Sequence, residues 1–190
     1  MQRRWYCQAL TVGGLLAALL LARPASAAEP EFTPPKPGPE HEILKKLEGT
    51  WNATVKASME PGKPPQESKG TMVYKMVCGG LWLSSEFEGE FGGQKFQGRG
   101  LDTYDTGKKK YTMVWVDSMA TTPMIGEGSY DKEARTMTFT SDYPGPDGKL
   151  VKHKIVSKLI DDDNAEMKMS IPDKDGKDQV MMTITYKRKK

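Results

Sequence analysis

The stretch Gly49-Thr-Trp-Asn-Ala-Thr-Val-Lys-Ala-Ser-Met59 decides the fold. Its odd-numbered positions from Trp51 to Met59 are apolar, and its even-numbered positions from Asn52 to Ser58 are polar. Because successive strand side chains point to opposite faces, this spacing gives one strand an apolar face and a solvent-facing one. A large aromatic ring just after a glycine, at the start of the strand, suits a residue that closes the end of a barrel. The stretch therefore predicts the first strand of a β-barrel.

Turn signals recur along the rest of the chain at roughly the 8–12-residue spacing of all-β proteins. The connections are short, so strands that are neighbours in sequence should pair antiparallel, and closure on itself is how such a sheet best hides its edges. We therefore predict an all-β, up-and-down antiparallel barrel of about ten strands, with a β-sandwich as the competing architecture. The nine further strands are predicted at 68–77, 81–90, 96–104, 111–117, 124–130, 135–143, 150–160, 165–171 and 179–187.

One helix is predicted after the first 27 residues, at 39–47. Pro39 suits a first helical position, acidic residues follow it, and lysines stand near the end. Ile43, Leu44 and Leu47 form one apolar stripe, which should lean on the barrel end beside Trp51. The proline-rich segment 28–38 is predicted to be an extended tether, and the barrel domain to span 39–190.

The first 27 residues have the pattern of a signal peptide. Arg3 and Arg4 precede an apolar run at 12–22, and Ala25-Ser26-Ala27 supplies small residues for cleavage. That run is shorter than the roughly 20 residues that span a bilayer. The sequence thus predicts an exported protein, periplasmic or extracellular, without stable membrane insertion after cleavage.

Charge and cysteine content limit the partners and the covalent structure. The chain has 28 Lys and Arg against 25 Asp and Glu, and three of the basic residues but none of the acidic ones lie in 1–27. The exported chain is then formally neutral, which gives no support for a nucleic-acid partner. Cys78 is the one cysteine beyond the signal segment, so no internal disulfide is expected. We interpret Cys78 as a small buried hydrophobe.

Several short motifs across 39–190 resemble an uncharacterised family of exported bacterial lipocalin-like domains with a Gly-x-Trp element. The resemblance implies a calycin-type barrel and brings no reaction with it, because no function is assigned to that family. The matching segments are 39–51, 79–81, 86–89, 96–98, 104–105, 109–111, 115–119, 127–131 and 183–187.

In barrels of this kind the indole of the Gly-x-Trp element plugs the closed end, often beneath a basic residue of the last strand. Here Gly49 and Trp51 provide the element. Side chains at every second position from Val180 to Arg188 share one continuous face of the last strand. This face would bring the Arg188 guanidinium over the Trp51 indole, and a cation–π contact of this kind contributes roughly 0.5–2 kcal/mol. The alternative is a solvated basic tail at 187–190.

A ligand site is predicted at the barrel mouth or interior. An aromatic strand end enters a polar loop there, and ligand pockets combine apolar walls with a few polar anchors. A plain transition from strand to loop explains the same pattern. The candidate ligand-binding residues are Trp115, Asp117, Ser118, Met119, Met113, Phe87 and Phe96.

No cofactor or metal is predicted. His41 and His153 are far apart in sequence and make no zinc spacing, although haem ligation through the strand residue His153 is an alternative. The ten strand and loop methionines are interpreted as flexible core filling rather than Cu(I) ligands.

The sequence shows no catalytic motif, and we predict a barrel that binds a small, largely apolar molecule. The first alternative is an enzyme acting on such a molecule through interior carboxylates, which would have to converge in the cavity. The second is an envelope module with a solid core that binds a protein. The carboxylates considered for an interior site are Glu86, Glu88, Asp102, Asp117 and Glu127.

Overall fold

The computed structural model describes residues 33–58, 64–145 and 148–190. Those belonging to the unit 35–190 form a closed antiparallel barrel with one helix, α1, before the first strand. The predicted signal peptide and most of the predicted tether lie outside the described residues. The elements are α1 (Pro39–Lys45), β1 (Gly49–Ala57), β2 (Gln66–Val77), β3 (Trp82–Phe91), β4 (Gln94–Asp105), β5 (Lys110–Asp117), β6 (Met124–Asp131), β7 (Thr136–Pro144), β8 (Leu150–Leu159), β9 (Asn164–Pro172) and β10 (Asp178–Arg188), with a single 3-10 turn at Cys78–Gly80.

Every strand pairs with its neighbours in sequence, and β1 pairs with β10 to close the ring. The closing register runs from Trp51 opposite Arg188 to Ala57 opposite Met182. The ring leaves no unpaired strand edge of the kind that templates aggregation. The predicted ten-stranded up-and-down barrel is confirmed, and the sandwich alternative is wrong.

The alternation in β1 sets its orientation. Trp51, Ala53, Val55 and Ala57 are buried in the interior, whereas Asn52 and its even-numbered neighbours face outward with partial or full exposure. The strand ends at Ala57, and Met59 lies outside the described residues. The apolar face of this one strand therefore lies in a core that continues across β10 and β3.

The helix covers one end of the barrel. It ends at Lys45, two residues before the predicted end, and the Leu47 N–H donates to the Leu44 carbonyl in the following turn (3.0 Å). Leu44 is buried among residues of β3, β5 and β7, and the Tyr111 hydroxyl donates to the Glu40 carbonyl (3.2 Å). Because so short a helix is unstable alone, these contacts hold it in place.

Trp51 lies at this capped end beneath Arg188. The Arg188 Cζ is 4.0 Å from the centre of the indole, and the Trp51 Nε1 donates to the Leu47 carbonyl (2.8 Å). The Arg188 guanidinium also donates to the carbonyls of Lys46, Glu48 and Asp162. Gly49 has a φ of 128°, and a Cβ there would lie 2.8 Å from the guanidinium. The three residues predicted as a plug thus lie together.

Two expectations about side-chain orientation are wrong. The predicted continuous face from Val180 to Arg188 is broken, because the β9–β10 register shifts between Val180 and Met182, and the extra residue leaves Val180 48% exposed. Cys78 is exposed rather than buried, because it lies in the 3-10 turn with a φ of 51° instead of in a strand.

The described ranges contain no helix with the length and apolar character needed to cross a membrane.

Candidate functional site

Aromatic rings lie flat against the barrel wall over inward-facing glycines. A Cβ on Gly98 would overlap the Trp115 indole, and one on Gly70 would overlap the Phe87 ring. Each glycine lets a large ring approach the backbone closely, which leaves the barrel axis less crowded. The sequence signal for this arrangement is pairs of glycines two residues apart, which therefore share one face of a strand, at 98 and 100 and at 126 and 128.

We expect Gly98→Ala to destabilise the protein by about 1–3 kcal/mol, because the new methyl group would push the Trp115 indole off the wall. Urea unfolding measures the loss, and near-UV circular dichroism reports the displaced indole. Gly107→Ala is the matched control, since a Cβ there would meet only the Asp105 Oδ1, at 3.3 Å. Equal stability of the two variants would contradict close packing of the indole on Gly98.

The barrel mouth holds a fixed carboxylate beside Trp115. The Trp115 Nε1 donates to the Asp117 Oδ2 (3.0 Å), and the Met119 N–H donates to the Asp117 Oδ1 (2.8 Å). Partial burial raises the pKa of Tyr143, and the negative charge of Asp117 raises it further. The Asp117 carboxyl group therefore lies on the interior side of the rim, with both oxygens already engaged.

The seven candidate ligand residues are only partly brought together. Phe87 and Phe96 touch edge to face, with ring centres 5.7 Å apart, and both belong to the same core region as Trp115. Met113 packs in the other core region, which lies under α1. Ser118 and Met119 are exposed, and the Ser118 Oγ accepts the Gln97 N–H (3.1 Å). These last two residues shape the rim loop and do not line the interior.

His153 faces inward near the mouth and is buried. Its Nδ1 lies 3.0 Å from the Val151 carbonyl oxygen, and its ring meets that of Tyr143 edge to face at 5.6 Å. Because a carbonyl oxygen only accepts, Nδ1 carries the proton of the neutral ring and Nε2 is the acceptor. This places a histidine in the interior wall with one nitrogen already held by its own strand.

A cavity of about 90 Å³ lies at the capped end, beneath α1. Its walls are mainly apolar, with a few polar groups set among them. The uncharged polar side chains that line it are Tyr74, Tyr130, Ser157 and Tyr186, and the ionisable acids and bases are Lys46, Asp102, Arg135, Lys158 and Glu166.

Two carboxylates line this cavity, and Asp102 is the one without an ion-pair partner among the described residues, since Glu166 pairs with Lys168. The register neighbours of Asp102 on β3 and β5 are Leu83 and Met113, both in the core beneath α1, so the carboxyl group lies deep inside the wall. The part of the Asp102 side chain that remains accessible lines the cavity. Burial raises its pKa from 3.8 to about 7, and no cation or hydrogen bond of the described residues counters that effect.

Two tyrosines complete the polar group around Asp102. Burial raises the pKa of Tyr74 well above its ordinary value, and the adjacent Tyr186 and the Asp102 carboxylate raise it further. Burial also raises the pKa of Tyr186, while its contact with Tyr74 acts in the opposite direction. Both hydroxyls therefore stay protonated and remain hydrogen-bond donors near neutral pH.

The other carboxylates considered for the interior are dispersed. Glu86 and Glu88 lie on the outer face, 3.7 and 3.4 Å from Arg99. Glu127 is also outside, where hydrogen bonds from Lys108 and Lys110 lower its pKa to about 2. Only Asp102 and Asp117 face the interior. Their positions are four residues apart along β4, about 13 Å, so they do not form a pair.

A second depression of about 180 Å³ lies at the opposite rim, between the β1–β2 and β3–β4 hairpins. Ala57 and Phe91 are apolar, whereas Gln66, Glu67 and Glu90 are exposed polar residues. Its described lining is therefore less suited to an apolar molecule than the cavity beneath α1 is.

The family model described as "Protein of unknown function (DUF1579)" matches residues 36–188, nearly the whole of the barrel and its helix. The chain belongs to the DUF1579 family. A comparison with curated proteins gives no match.

Two solved structures show the same fold in other proteins. The barrel is similar to Rv2717c from M. tuberculosis, with a TM-score of 0.58 and 14% identity, covering 80% of this chain and 99% of that one. It is also similar to the S-type phycobiliprotein lyase CPES from Guillardia theta, with a TM-score of 0.57 and 12% identity, covering 81% and 99%. At these identities the likeness is one of fold.

Proposed function

We propose that this DUF1579 protein is an exported barrel that binds a small, largely apolar molecule in its interior. The observation that carries the proposal is the unfilled cavity of about 90 Å³ beneath α1, with its mainly apolar walls and few polar groups. Pockets for small molecules combine these two features. The unfilled space at this end also differs from the solid core that we considered for an interaction module.

The size of the cavity bounds the ligand. A cavity of about 150 Å³ in a protein core takes up benzene, and pockets for drug-sized molecules span about 300–1,000 Å³. The cavity here suits a molecule of about four or five non-hydrogen atoms. Larger ligands require side chains to move, and Met137 at the cavity wall, with Met113 and Met167 packed nearby, provides flexible thioethers for that movement.

The export part of the proposal rests on the sequence pattern of residues 1–27. We expect the protein purified from the envelope or medium of its own cells to begin at Ala28. Intact-mass measurement tests this directly, and a mass that includes the first 27 residues would contradict cleavage.

Filling the cavity is expected to abolish ligand binding. Ala165 lines the cavity, so Ala165→Leu places three additional carbons in the space that the ligand would occupy. With isobutanol as the probe, wild-type protein should show saturable chemical-shift changes with a Kd in the millimolar range, about 4 kcal/mol of binding. The variant should bind at least tenfold more weakly in the same titration.

Ala134→Leu is the matched control, since it adds the same volume at an exposed turn between β6 and β7. It should bind isobutanol as the wild type does. If Ala165→Leu bound as tightly as this control, the cavity beneath α1 would not be the binding site. Native mass spectrometry of the exported protein, in wild-type and Ala165→Leu forms, then looks for a retained natural molecule.

A further inference from the structure

Asp102 is a mostly buried acid, and no lysine or arginine of the described residues forms an ion pair with it. Among the ion pairs of the described residues, each carboxylate partner of a lysine or arginine lies elsewhere, mostly on the outer face of the barrel or in its turns. Burial is the whole cause of the shift in the Asp102 pKa, to about 7. An ionised carboxylate in such a place is costly unless a cation or several donors meet it.

Asp102 also borders empty space, which distinguishes it from an acid packed into a core. It lines the cavity together with Tyr74 and Tyr186, whose hydroxyls supply polar contacts at the same end. Most of the remaining cavity wall is apolar, and Leu44 and Phe139 belong to it. One end of a guest molecule would therefore meet a carboxylate, and the rest would meet hydrocarbon.

We infer that the cavity is a site for a small primary amine, whose ammonium group pairs with Asp102 while its short hydrocarbon body lies against the apolar wall. The inference rests on the proposed function and names the class of its ligand. An ammonium group supplies both the missing countercharge and hydrogen-bond donors to the carboxylate, and such charge-assisted hydrogen bonds are about twice as strong as neutral ones. An alcohol of the same shape supplies only a neutral hydrogen bond.

The other charged and titratable groups near the cavity do not serve as the countercharge of Asp102. Tyr74 and Tyr186 stay protonated near neutrality because burial raises the pKa of each. His41 of α1 is buried against Tyr104, and its Nδ1 accepts the Gly38 N–H (3.0 Å). The remaining groups from the packed elements are Tyr104, Tyr111, Tyr130, Lys46, Arg135, Lys158 and Glu166, and none of them is a cause of the shifted Asp102 pKa.

The test compares isobutylamine with isobutanol, two probes of equal size, by NMR titration of the full exported protein. At pH 8 we expect isobutylamine to bind at least tenfold more tightly. Because its ammonium group stays charged whereas Asp102 takes up a proton, its affinity should fall about tenfold per pH unit from pH 7 to pH 5. The affinity for isobutanol should change little over that range.

Asp102→Asn keeps the shape of the side chain and removes the charge. It should abolish the advantage of the amine at pH 8 and the pH dependence, which assigns both to Asp102 rather than to His41. Asp142→Asn, a change at an exposed carboxylate on the outer face of β7, is the control and should behave as the wild type does.

The outcomes separate the two proposals. Equal wild-type affinities for amine and alcohol at pH 8 would overturn the amine site and leave the apolar-ligand function standing. Failure of both probes to bind the wild type would overturn the cavity function and the amine site together. The pH dependence of isobutylamine binding to the wild type tests the amine site even if Asp102→Asn fails to fold.

Discussion

Asp102→Asn is expected to raise the free energy of unfolding by up to about 4 kcal/mol at pH 8 and to leave it nearly unchanged at pH 4. The pKa of Asp102 rises from 3.8 to about 7 in the folded protein. Between these values the native state holds a proton that the unfolded chain releases, so the stability of the wild type falls as pH rises. Each pKa unit corresponds to about 1.4 kcal/mol. The penalty is absent below pH 4 and complete above pH 7.

Urea unfolding of the wild type and Asp102→Asn at pH 4, 6 and 8 measures this difference. Asp142→Asn again serves as the control, because Asp142 is exposed on the outer face and should shift stability by less than about 1 kcal/mol. Parallel stability profiles for the wild type and Asp102→Asn would mean that Asp102 is solvated in the folded protein. The amine site would then lose its physical basis.

Trp51→Ala is expected to cost about 3–5 kcal/mol of stability, the range for deleting a large aromatic side chain from a core. Trp51 is 1% exposed, its indole N–H donates to the Leu47 carbonyl, and the Arg188 guanidinium lies on its ring. The substitution opens a cavity at the capped end and removes the ring that contacts both the Leu47 carbonyl and the Arg188 guanidinium. Chemical unfolding at pH 4, where Asp102 is protonated, gives the value without the pH-dependent term.

Trp82→Ala is the matched control. Trp82 precedes the fully buried Leu83 on β3, so it faces outward and is only partly buried. Its loss should cost clearly less than that of Trp51. Equal destabilisation by the two substitutions would show that the capped end contributes no more to stability than the outer wall.

The alternation in β1 was enough to predict which of its residues lie inside, because only one register buries Trp51 to Ala57, and the spacing of the turns supplied the barrel. The same reasoning named Asp102 as one of five candidate interior carboxylates and could not single it out. On β4 the exposed residue is Leu101, at 43%, and the inward residue is the acid, so the usual pattern of apolar inside and polar outside is inverted there. Only the register with β3 and β5 reveals which face is which.

Sequence reasoning could not separate the rim from the interior among the candidate ligand residues for a related reason. Ser118 and Met119 follow Trp115 closely in sequence, but β5 ends at Asp117, and beyond a strand the period-two rule no longer orients side chains. The bulge before Met182 had the same effect on the predicted face of β10. Local irregularities of this kind depend on pairing between strands, which a single sequence pattern does not contain.

The ring closes between its first and last strands, from Trp51 opposite Arg188 to Ala57 opposite Met182, so its final seam joins residues separated by nearly the whole length of the domain. Bringing such distant segments together carries a large loop-closure entropy and slows folding. A chain still being synthesised lacks β10 and cannot form the seam. The barrel can therefore close only once the last strand has been made, so the fold depends on both ends of the domain being present.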